Sequence, residues 1–175
     1  RQREVVLDGE AYFEVKKNKR IPFIVVSGDQ RIVVTGTRFN VRSYSGSDEF
    51  VTTLLEGGIY FHSEKMQKDI HLQPGEQLRY DNRHKSIKVA YLSNAADEIL
   101  WMDNRYVFNK VALSDILKRM EDIYQVRFVS NKTKAMSTTY RVTLYQDENL
   151  PEFLRVMRKM TGLAYVQKGD TIIVK

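Results

Sequence analysis

The sequence predicts an all-β domain, a sandwich or a solenoid-like antiparallel stack, followed by a small α+β domain with two βαβ-like repeats. Three features predict this fold class. Short runs of β-branched and aromatic residues alternate with turn residues from residue 5 to residue 92. Apolar residues recur at helical spacing in two segments after residue 105. Residues 94–104 follow neither pattern and predict a linker.

The all-β domain is predicted to occupy residues 1–93. Turn residues such as Gly57-Gly58 and Pro74-Gly75 interrupt it about every 8–12 positions, and no segment of this half has a helical period. Alternating apolar and polar residues predict strands that each turn one face to a core. The predicted strands are residues 10–15, 23–26, 31–35, 39–44, 50–55, 59–62, 77–80 and 87–89.

The linker, residues 94–104, is predicted to contain a short helix. Asn94 is a suitable residue to cap that helix, because its side chain can accept a hydrogen bond from a backbone N–H of the first turn. The helix would present Ile99, Leu100 and Trp101 to a neighbouring surface. We expect the two domains to meet here, with Trp101 buried at the junction.

The α+β domain is predicted over residues 105–175. Its second helix begins after Asn149, has Pro151 in its first turn and ends at Gly162, which is the usual distribution of these residue types. The first helix has an apolar face formed by Leu113, Ile116, Leu117, Met120, Ile123 and Tyr124.

The two helices belong to an internal repeat. The segment that starts at Leu113 matches the segment that starts at Leu150, 37 residues further on, and the match continues into the strand after each helix. A strand also precedes each helix. We therefore expect two βαβ-like halves in one sheet of four or five strands, with the helices covering one face.

The composition excludes several kinds of site. The chain has no cysteine, so it has no disulfide, thiolate ligand or cysteine nucleophile. None of its three histidines has a second histidine at metal-ligand spacing. Phosphate-binding glycine loops, a nucleophile elbow and a zinc-protease motif are absent from the sequence. We expect no cofactor, no metal and no enzymatic activity on another molecule.

The basic charge does not indicate nucleic acid. The net charge is +6, and it divides equally: residues 1–96 have 15 basic and 12 acidic residues, and residues 97–175 have 13 and 10. A nucleic-acid footprint would concentrate its charge on one element. RNA binding by aromatic residues of the α+β sheet is one hypothesis, but the sequence lacks the interleaved basic and aromatic residues that it needs.

The sequence has no run of about 18 apolar residues, the length expected of a membrane-spanning helix. No signal peptide precedes Arg1, and the chain begins directly in the strand-like stretch around Val5 and Val6. We interpret the chain as a fragment of a longer protein.

One peptide bond has a chemical interpretation. Gly36-Thr37 joins two strand-like runs, and a threonine hydroxyl can attack a preceding glycine carbonyl to give an ester that water opens. Glycine supplies an unhindered carbonyl and tolerates unusual backbone angles. The alternative is a glycine bulge at a corner of the strand, and spacing alone favours that alternative.

Five short blocks occur in one order in the first half of the chain: GEAYFEV at 9–15, PFIVV at 22–26, VTGTRFNV at 34–41, LLEG at 54–57 and LQPGEQ at 72–77. Together they resemble the FecR family of sigma-factor regulators. The second half, from Trp101 onward, is similar to the small domain that follows in FecR-like proteins of Bacteroidetes, which resembles the short N-terminal domain of secretins and TonB-dependent receptors.

The resemblance implies an exported, periplasmic part of an inner-membrane protein with one membrane helix. Its expected partners are the N-terminal signalling domain of a TonB-dependent outer-membrane transporter and, through a cytoplasmic segment absent here, an extracytoplasmic-function sigma factor. Some members break their chain at the Gly-Thr matched by Gly36 and Thr37. The resemblance does not say which transporter or ligand is served.

Two further expectations concern binding surfaces. The transporter domain is expected to add a strand to an open sheet edge of the α+β domain at Tyr140, Val142 and Leu144, unless this strand is internal. A carbohydrate-binding β module is the alternative function. Its sugar-stacking residues would be Tyr12, Tyr44, Tyr60 and Tyr80, which in alternating strands are more often core or cross-strand partners.

Overall fold

The computed structural model describes residues 3–175, except for the side chain of Lys68. The chain is predominantly β, as predicted, with several sheets and few helices. It divides into two compact units, Arg1–Ile99 and Leu100–Lys175. The boundaries predicted from the sequence, 1–93, 94–104 and 105–175, stay a prediction.

The N-terminal unit contains ten strands in two five-stranded sheets. The first sheet has the order β1-β3-β4-β7-β8, and the second has the order β10-β9-β6-β5-β2. The strands are β1 (Arg3–Val6), β2 (Gly9–Glu14), β3 (Phe23–Ser27), β4 (Gln30–Val34), β5 (Arg38–Ser43), β6 (Glu49–Glu56), β7 (Ile59–Ser63), β8 (Lys68–Leu72), β9 (Glu76–Asp81) and β10 (Ser86–Tyr91).

The two sheets share one hydrophobic core, so this unit is a sandwich and not a solenoid. Neighbouring strands are antiparallel except β1, which runs parallel to β3. Alternate residues point inward: Ile32 and Phe61 from the first sheet meet Phe39 and Leu78 from the second, and all four are fully buried. The strand β8 was missed from the sequence because KDIHL is short and has only two apolar residues.

A 3-10 helix, Ala95–Asp103, lies within the predicted linker. The Asn94 side chain donates to the Asp97 carboxylate at 2.7 Å and is not seen accepting from the first turn, so the predicted cap takes a different form. Trp101 is half-buried and packs against the core of the C-terminal unit, where full burial was expected.

The C-terminal unit repeats the order strand, helix, strand. The matching helices α1 and α3 both have twelve residues, as the 37-residue repeat predicts. The short helix α2 between the repeats was missed, because five residues show no helical period. The elements are β11 (Arg105–Ala112), α1 (Leu113–Tyr124), β12 (Arg127–Ser130), α2 (Thr133–Ser137), β13 (Thr139–Tyr145), α3 (Leu150–Thr161), β14 (Tyr165–Lys168) and β15 (Thr171–Val174).

The ends of α3 follow the sequence prediction. The Asn149 side chain accepts from the Glu152 N–H, and the Glu152 carboxylate accepts from the Asn149 N–H, which forms a capping box. Gly162 ends the helix at φ = +72°, a conformation that glycine adopts without steric cost.

The expected single sheet is wrong. The strands β11 and β13 pair antiparallel in a two-stranded sheet, and β12, β15 and β14 form a separate three-stranded sheet. The strands of one repeat therefore lie in different sheets. The reason is the last hairpin: β14 and β15 pair with each other, and β12 pairs parallel with β15. The repeat shows the order of elements and not which strands pair.

Candidate functional site

The Gly36-Thr37 bond lies in the turn between β4 and β5. Gly36 has φ = +153°, and a Cβ atom added to it would lie 2.7 Å from the Lys17 Cα. No side chain fits at that distance, so both the backbone angle and the close approach of residue 17 require glycine at this position. Gly36 therefore has a conformational role at this corner, whether or not the bond is cleaved.

Thr37 is buried, and both its side chain and its backbone are hydrogen-bonded. Its side chain is 3% exposed, and its hydroxyl donates to the Gly58 carbonyl oxygen at 2.9 Å. Its N–H donates to the Val15 carbonyl at 3.2 Å, and the Val15 N–H donates to the Thr37 carbonyl at 3.0 Å. These backbone bonds extend the β2–β5 ladder beyond the ends of both strands and fix the plane of the Gly36-Thr37 peptide.

The glycine pair at 57 and 58, predicted only as a turn, packs directly on this bond. A Cβ atom at Gly57, where φ is +93°, would lie 2.5 Å from the Gly36 carbonyl oxygen and 3.0 Å from the Thr37 hydroxyl oxygen. A Cβ atom at Gly58 would lie 3.2 Å from His71 Nε2. The Gly-Gly dipeptide is visible in the sequence, but its contact with the Gly36-Thr37 bond is not.

The contacts around Thr37 bear on whether the Gly36-Thr37 peptide bond can undergo an acyl shift. In an acyl shift the Thr37 hydroxyl oxygen bonds to the Gly36 carbonyl carbon, the C–N bond breaks, and the hydroxyl proton passes to the nitrogen; water then opens the ester. In the intact chain the Thr37 hydroxyl donates a hydrogen bond to the Gly58 carbonyl oxygen, and a carbonyl oxygen is a poor base. Among the described residues it has no carboxylate or imidazole partner. Self-cleavage stays a prediction.

The residues predicted to bind a partner, Tyr140, Val142 and Leu144, lie on the inner side of β13. Leu144 is buried in the core of the C-terminal unit, and Tyr140 and Val142 pack against it. Their side chains therefore pack inside the folded unit and do not face a partner.

The backbone hydrogen bonds of β13 indicate which of its residues face β11 and which face the open edge. The Gln146 N–H donates to the Asn104 carbonyl, and the Leu113 N–H donates to the Thr138 carbonyl. Because hydrogen-bonded pairs alternate along an antiparallel ladder, the backbone groups of residues 140, 142 and 144 point toward β11. Those of Arg141 and Thr143 point the other way, to an edge that no described strand covers. Partner binding at this edge stays a prediction, and the backbone groups that it would use are those of Arg141 and Thr143.

The outer edge of β12 is covered differently. The Glu121 carboxylate, on α1, accepts from the Phe128 N–H at 2.6 Å, in the place where a further strand would bond. Burial raises the pKa of Glu121, and the hydrogen bond from Phe128 opposes that shift. A pocket of about 240 Å³ next to it is lined by Leu117, Glu121, Phe128, Met136 and others.

The four tyrosines of the carbohydrate-binding alternative do not form one platform. Tyr80 is fully buried in the sandwich core. Tyr60 is 59% exposed on the outer face of the first sheet, and Tyr12 faces outward from the second sheet, on the opposite side of the sandwich. No observation in the described residues therefore favours a sugar-stacking surface made by these side chains.

Within residues 3–175 there is no group of three or more His, Asp or Glu residues arranged to hold a metal ion. The described helices are all too short or too polar to cross a membrane.

Comparison with known proteins identifies both units. The family model described as FecR protein matches residues 1–60, and the model described as FecR, C-terminal, matches residues 105–174. No curated protein matches the chain.

Two similar crystal structures are those of a candidate anti-sigma factor from Parabacteroides distasonis ATCC 8503, at 1.65 Å and 2.50 Å resolution. Their TM-scores are 0.77 and 0.75, both at 22% sequence identity. The similarity covers 99% of this chain and 80% and 79% of those chains, and at this identity it shows a shared fold. One family model matches within each compact unit, and the chain belongs to the FecR family.

Proposed function

We propose that this chain is the signal-relaying part of an anti-sigma factor that regulates an extracytoplasmic-function sigma factor. The observation that carries the proposal is the pair of FecR family matches, one on each unit. The fold shared with a candidate anti-sigma factor supports it. The described residues offer sheet surfaces and edges suited to protein partners, which is what a relay requires.

The finer proposal concerns place and partners. The chain lies in the periplasm, as part of an inner-membrane protein with one membrane helix outside these residues. It receives its signal from the N-terminal signalling domain of a TonB-dependent outer-membrane transporter. A cytoplasmic segment, also outside these residues, holds the sigma factor. The basis for these assignments is the FecR family resemblance.

The transporter domain is proposed to meet the C-terminal unit at the open edge of β13. Strand addition there would satisfy the outward backbone groups of Arg141 and Thr143 and of the added strand together. The inward side chains of Val142 and Leu144 stay in the core during this pairing, so the fold need not rearrange.

The test is isothermal titration calorimetry of residues 1–175 with the signalling domain of the TonB-dependent transporter encoded beside this gene. We expect saturable one-to-one binding. The matched control is the signalling domain of a transporter encoded elsewhere in the same genome, which should bind much more weakly. No binding of the neighbouring domain, or equal binding of both, would contradict the proposed partner.

A further part of the proposal is cleavage of the chain at Gly36-Thr37. The supporting observation is that Gly57 packs against both the Gly36 carbonyl oxygen and the Thr37 hydroxyl oxygen, so that the reacting groups of this bond share one tightly packed corner. Because Thr37 is 3% exposed, water reaches the ester only when this turn opens. Cleavage would then report on loosening of the sandwich at this corner.

A further inference from the structure

The three-stranded sheet of the C-terminal unit has two unlike faces. Its inner face packs on the helices through Phe128, Tyr165, Ile172 and Val174. Because side chains alternate along a strand, the residues between these point to the outer face. On a sheet with one covered face, the outer positions are ordinarily polar.

The outer face instead carries an apolar row. Val129 pairs with Ile173, and Ile173 pairs with Val166, so the three side chains lie side by side across all three strands. Val129 is 48% exposed and Val166 is 37% exposed. Ile173, between them, is half-buried. Single exposed apolar residues are common on protein surfaces, but two exposed valines on either side of this isoleucine form a continuous patch.

Basic residues flank the apolar row on both sides. In the next row, Arg127 and Lys168 stand on the two outer strands with Thr171 between them. On the other side, Lys132 and Lys175 line a shallow depression of about 460 Å³ together with Val129 and Ile173. Within the described part of the chain, Lys132, Lys168 and Lys175 take part in no salt bridge. Asp170, in the turn between β14 and β15, is the acidic residue of this sheet.

The apolar row and the basic residues beside it favour one kind of binding partner. Burying the apolar row requires a complementary apolar centre, and the flanking lysines favour carboxylates around that centre. A membrane surface fits less well, because valine and isoleucine are short, β-branched and held in the sheet. Segments that bind the bilayer interface ordinarily insert longer or aromatic side chains.

We infer that the outer face of the β12-β15-β14 sheet is a docking surface for an acidic protein surface on the transporter signalling domain. The inference rests on the partner named in the proposed function. It adds a surface distinct from the β13 edge, since β13 belongs to the other sheet and contributes none of these side chains.

The experiment measures binding of the neighbouring transporter's signalling domain to residues 1–175 by calorimetry at several salt concentrations. Val129→Thr with Val166→Thr keeps the β-branched shape and makes the row polar. We expect the dissociation constant to rise by about tenfold or more. Lys132→Glu with Lys168→Glu should also weaken binding and reverse part of its salt dependence, because the charge now opposes an acidic partner.

The matched control is Val89→Thr with Lys88→Glu on β10 of the N-terminal unit, where Val89 is 41% exposed. It should leave the dissociation constant unchanged. Circular dichroism melts of all variants, expected within a few degrees of the parent, separate loss of the surface from loss of the fold.

The outcomes are distinct. If the parent chain binds and neither pair of substitutions changes the dissociation constant, the docking surface is overturned and the proposed partner stands. If the parent chain does not bind, the proposed partner fails and this inference fails with it. If the variants bind the domain normally but lose sedimentation with phosphatidylglycerol vesicles that the parent shows, the surface contacts membrane and the protein-docking inference is wrong.

Discussion

Two outward sheet faces of this molecule use their residues in opposite ways. On the second sheet of the N-terminal unit, Asn40 donates to Glu10 at 2.8 Å, and Gln77 donates to Thr53 at 2.9 Å while accepting from Arg79. Polar groups on that face satisfy each other, although Asn40, Thr53 and Gln77 are under 5% exposed. On the three-stranded sheet of the C-terminal unit, the apolar row has no polar groups to pair and stays exposed.

The difference between the two faces indicates which of them is better suited to bind a partner. A face whose hydrogen bonds are internally satisfied gains little from a partner, because a partner must first break those bonds. An exposed apolar row with flanking charge gains from being covered. We therefore interpret the outer face of the three-stranded sheet as better suited to a partner than the outward face of the second sheet.

The largest predicted effect is in the sandwich core. Phe39 is fully buried and stacks on Phe13 with ring centroids 5.1 Å apart. Phe39→Ala should lower the free energy of unfolding by about 3–5 kcal/mol, the range for emptying such a site. Urea denaturation followed by circular dichroism measures it. Tyr60→Ala, at an exposed position of the same unit, should cost far less, and equal losses would contradict a rigid packed core.

The next effect separates the closed and open edges of β13. Val142→Pro removes a backbone bond to β11 and should destabilise the C-terminal unit by about 3 kcal/mol or more. Thr143→Pro, one residue away, removes an N–H that points to the open edge and should leave most of the stability intact.

If the partner adds a strand there, Thr143→Pro should abolish its binding in calorimetry while the thermal melt stays near that of the parent. A folded Thr143→Pro variant with unchanged affinity would eliminate the β13 edge as the interface. Similar destabilisation by both prolines would show that the backbone directions assigned to β13 are wrong.

A smaller effect is expected at the glycine corner. Gly57 and Gly46 both have positive φ, +93° and +86°, but only Gly57 would place a Cβ against other atoms. Both alanine substitutions incur the backbone penalty, and Gly57→Ala should cost about 1–3 kcal/mol more than Gly46→Ala. Thermal melts of the two variants compare them directly. Equal melting temperatures would mean that the corner is not tightly packed.

The smallest effect concerns Thr37. Thr37→Ala loses the hydrogen bond to Gly58 and should cost about 1–3 kcal/mol without unfolding the chain. If the chain cleaves itself in cells, Thr37→Ala should abolish cleavage and Thr37→Ser, which keeps the hydroxyl, should retain it. Immunoblots of the fragment that begins at Thr37 distinguish them. Cleavage that persists in Thr37→Ala would disprove the acyl shift.

The sequence predicted the parts of this fold that depend on local chemistry. The helix ends at Asn149 and Gly162 follow from capping, and the equal lengths of α1 and α3 follow from the repeat. Most sandwich strands follow from alternation. The pairing of β12 with β15 did not, because it is set by the distant hairpin of β14 and β15 and leaves no periodic signal.

The candidate surfaces were predicted less well than the elements that carry them. Tyr140, Val142 and Leu144 belong to a β-rich run of low net charge without glycine or proline, and their apolar side chains pack in the core. The apolar row is invisible in sequence, because Val129, Val166 and Ile173 become neighbours only through strand register. Likewise, nothing in the Gly57-Gly58 dipeptide indicates that it packs on the carbonyl of Gly36.

Transcription measures whether these residues relay a signal to a sigma factor, as we propose. The measurement compares a reporter gene under the neighbouring sigma factor's promoter in cells with the intact gene and in cells whose gene lacks the codons for residues 105–175. We expect the deletion to abolish induction by the transporter's ligand while the protein is still produced. Induction that is unchanged by the deletion would contradict it.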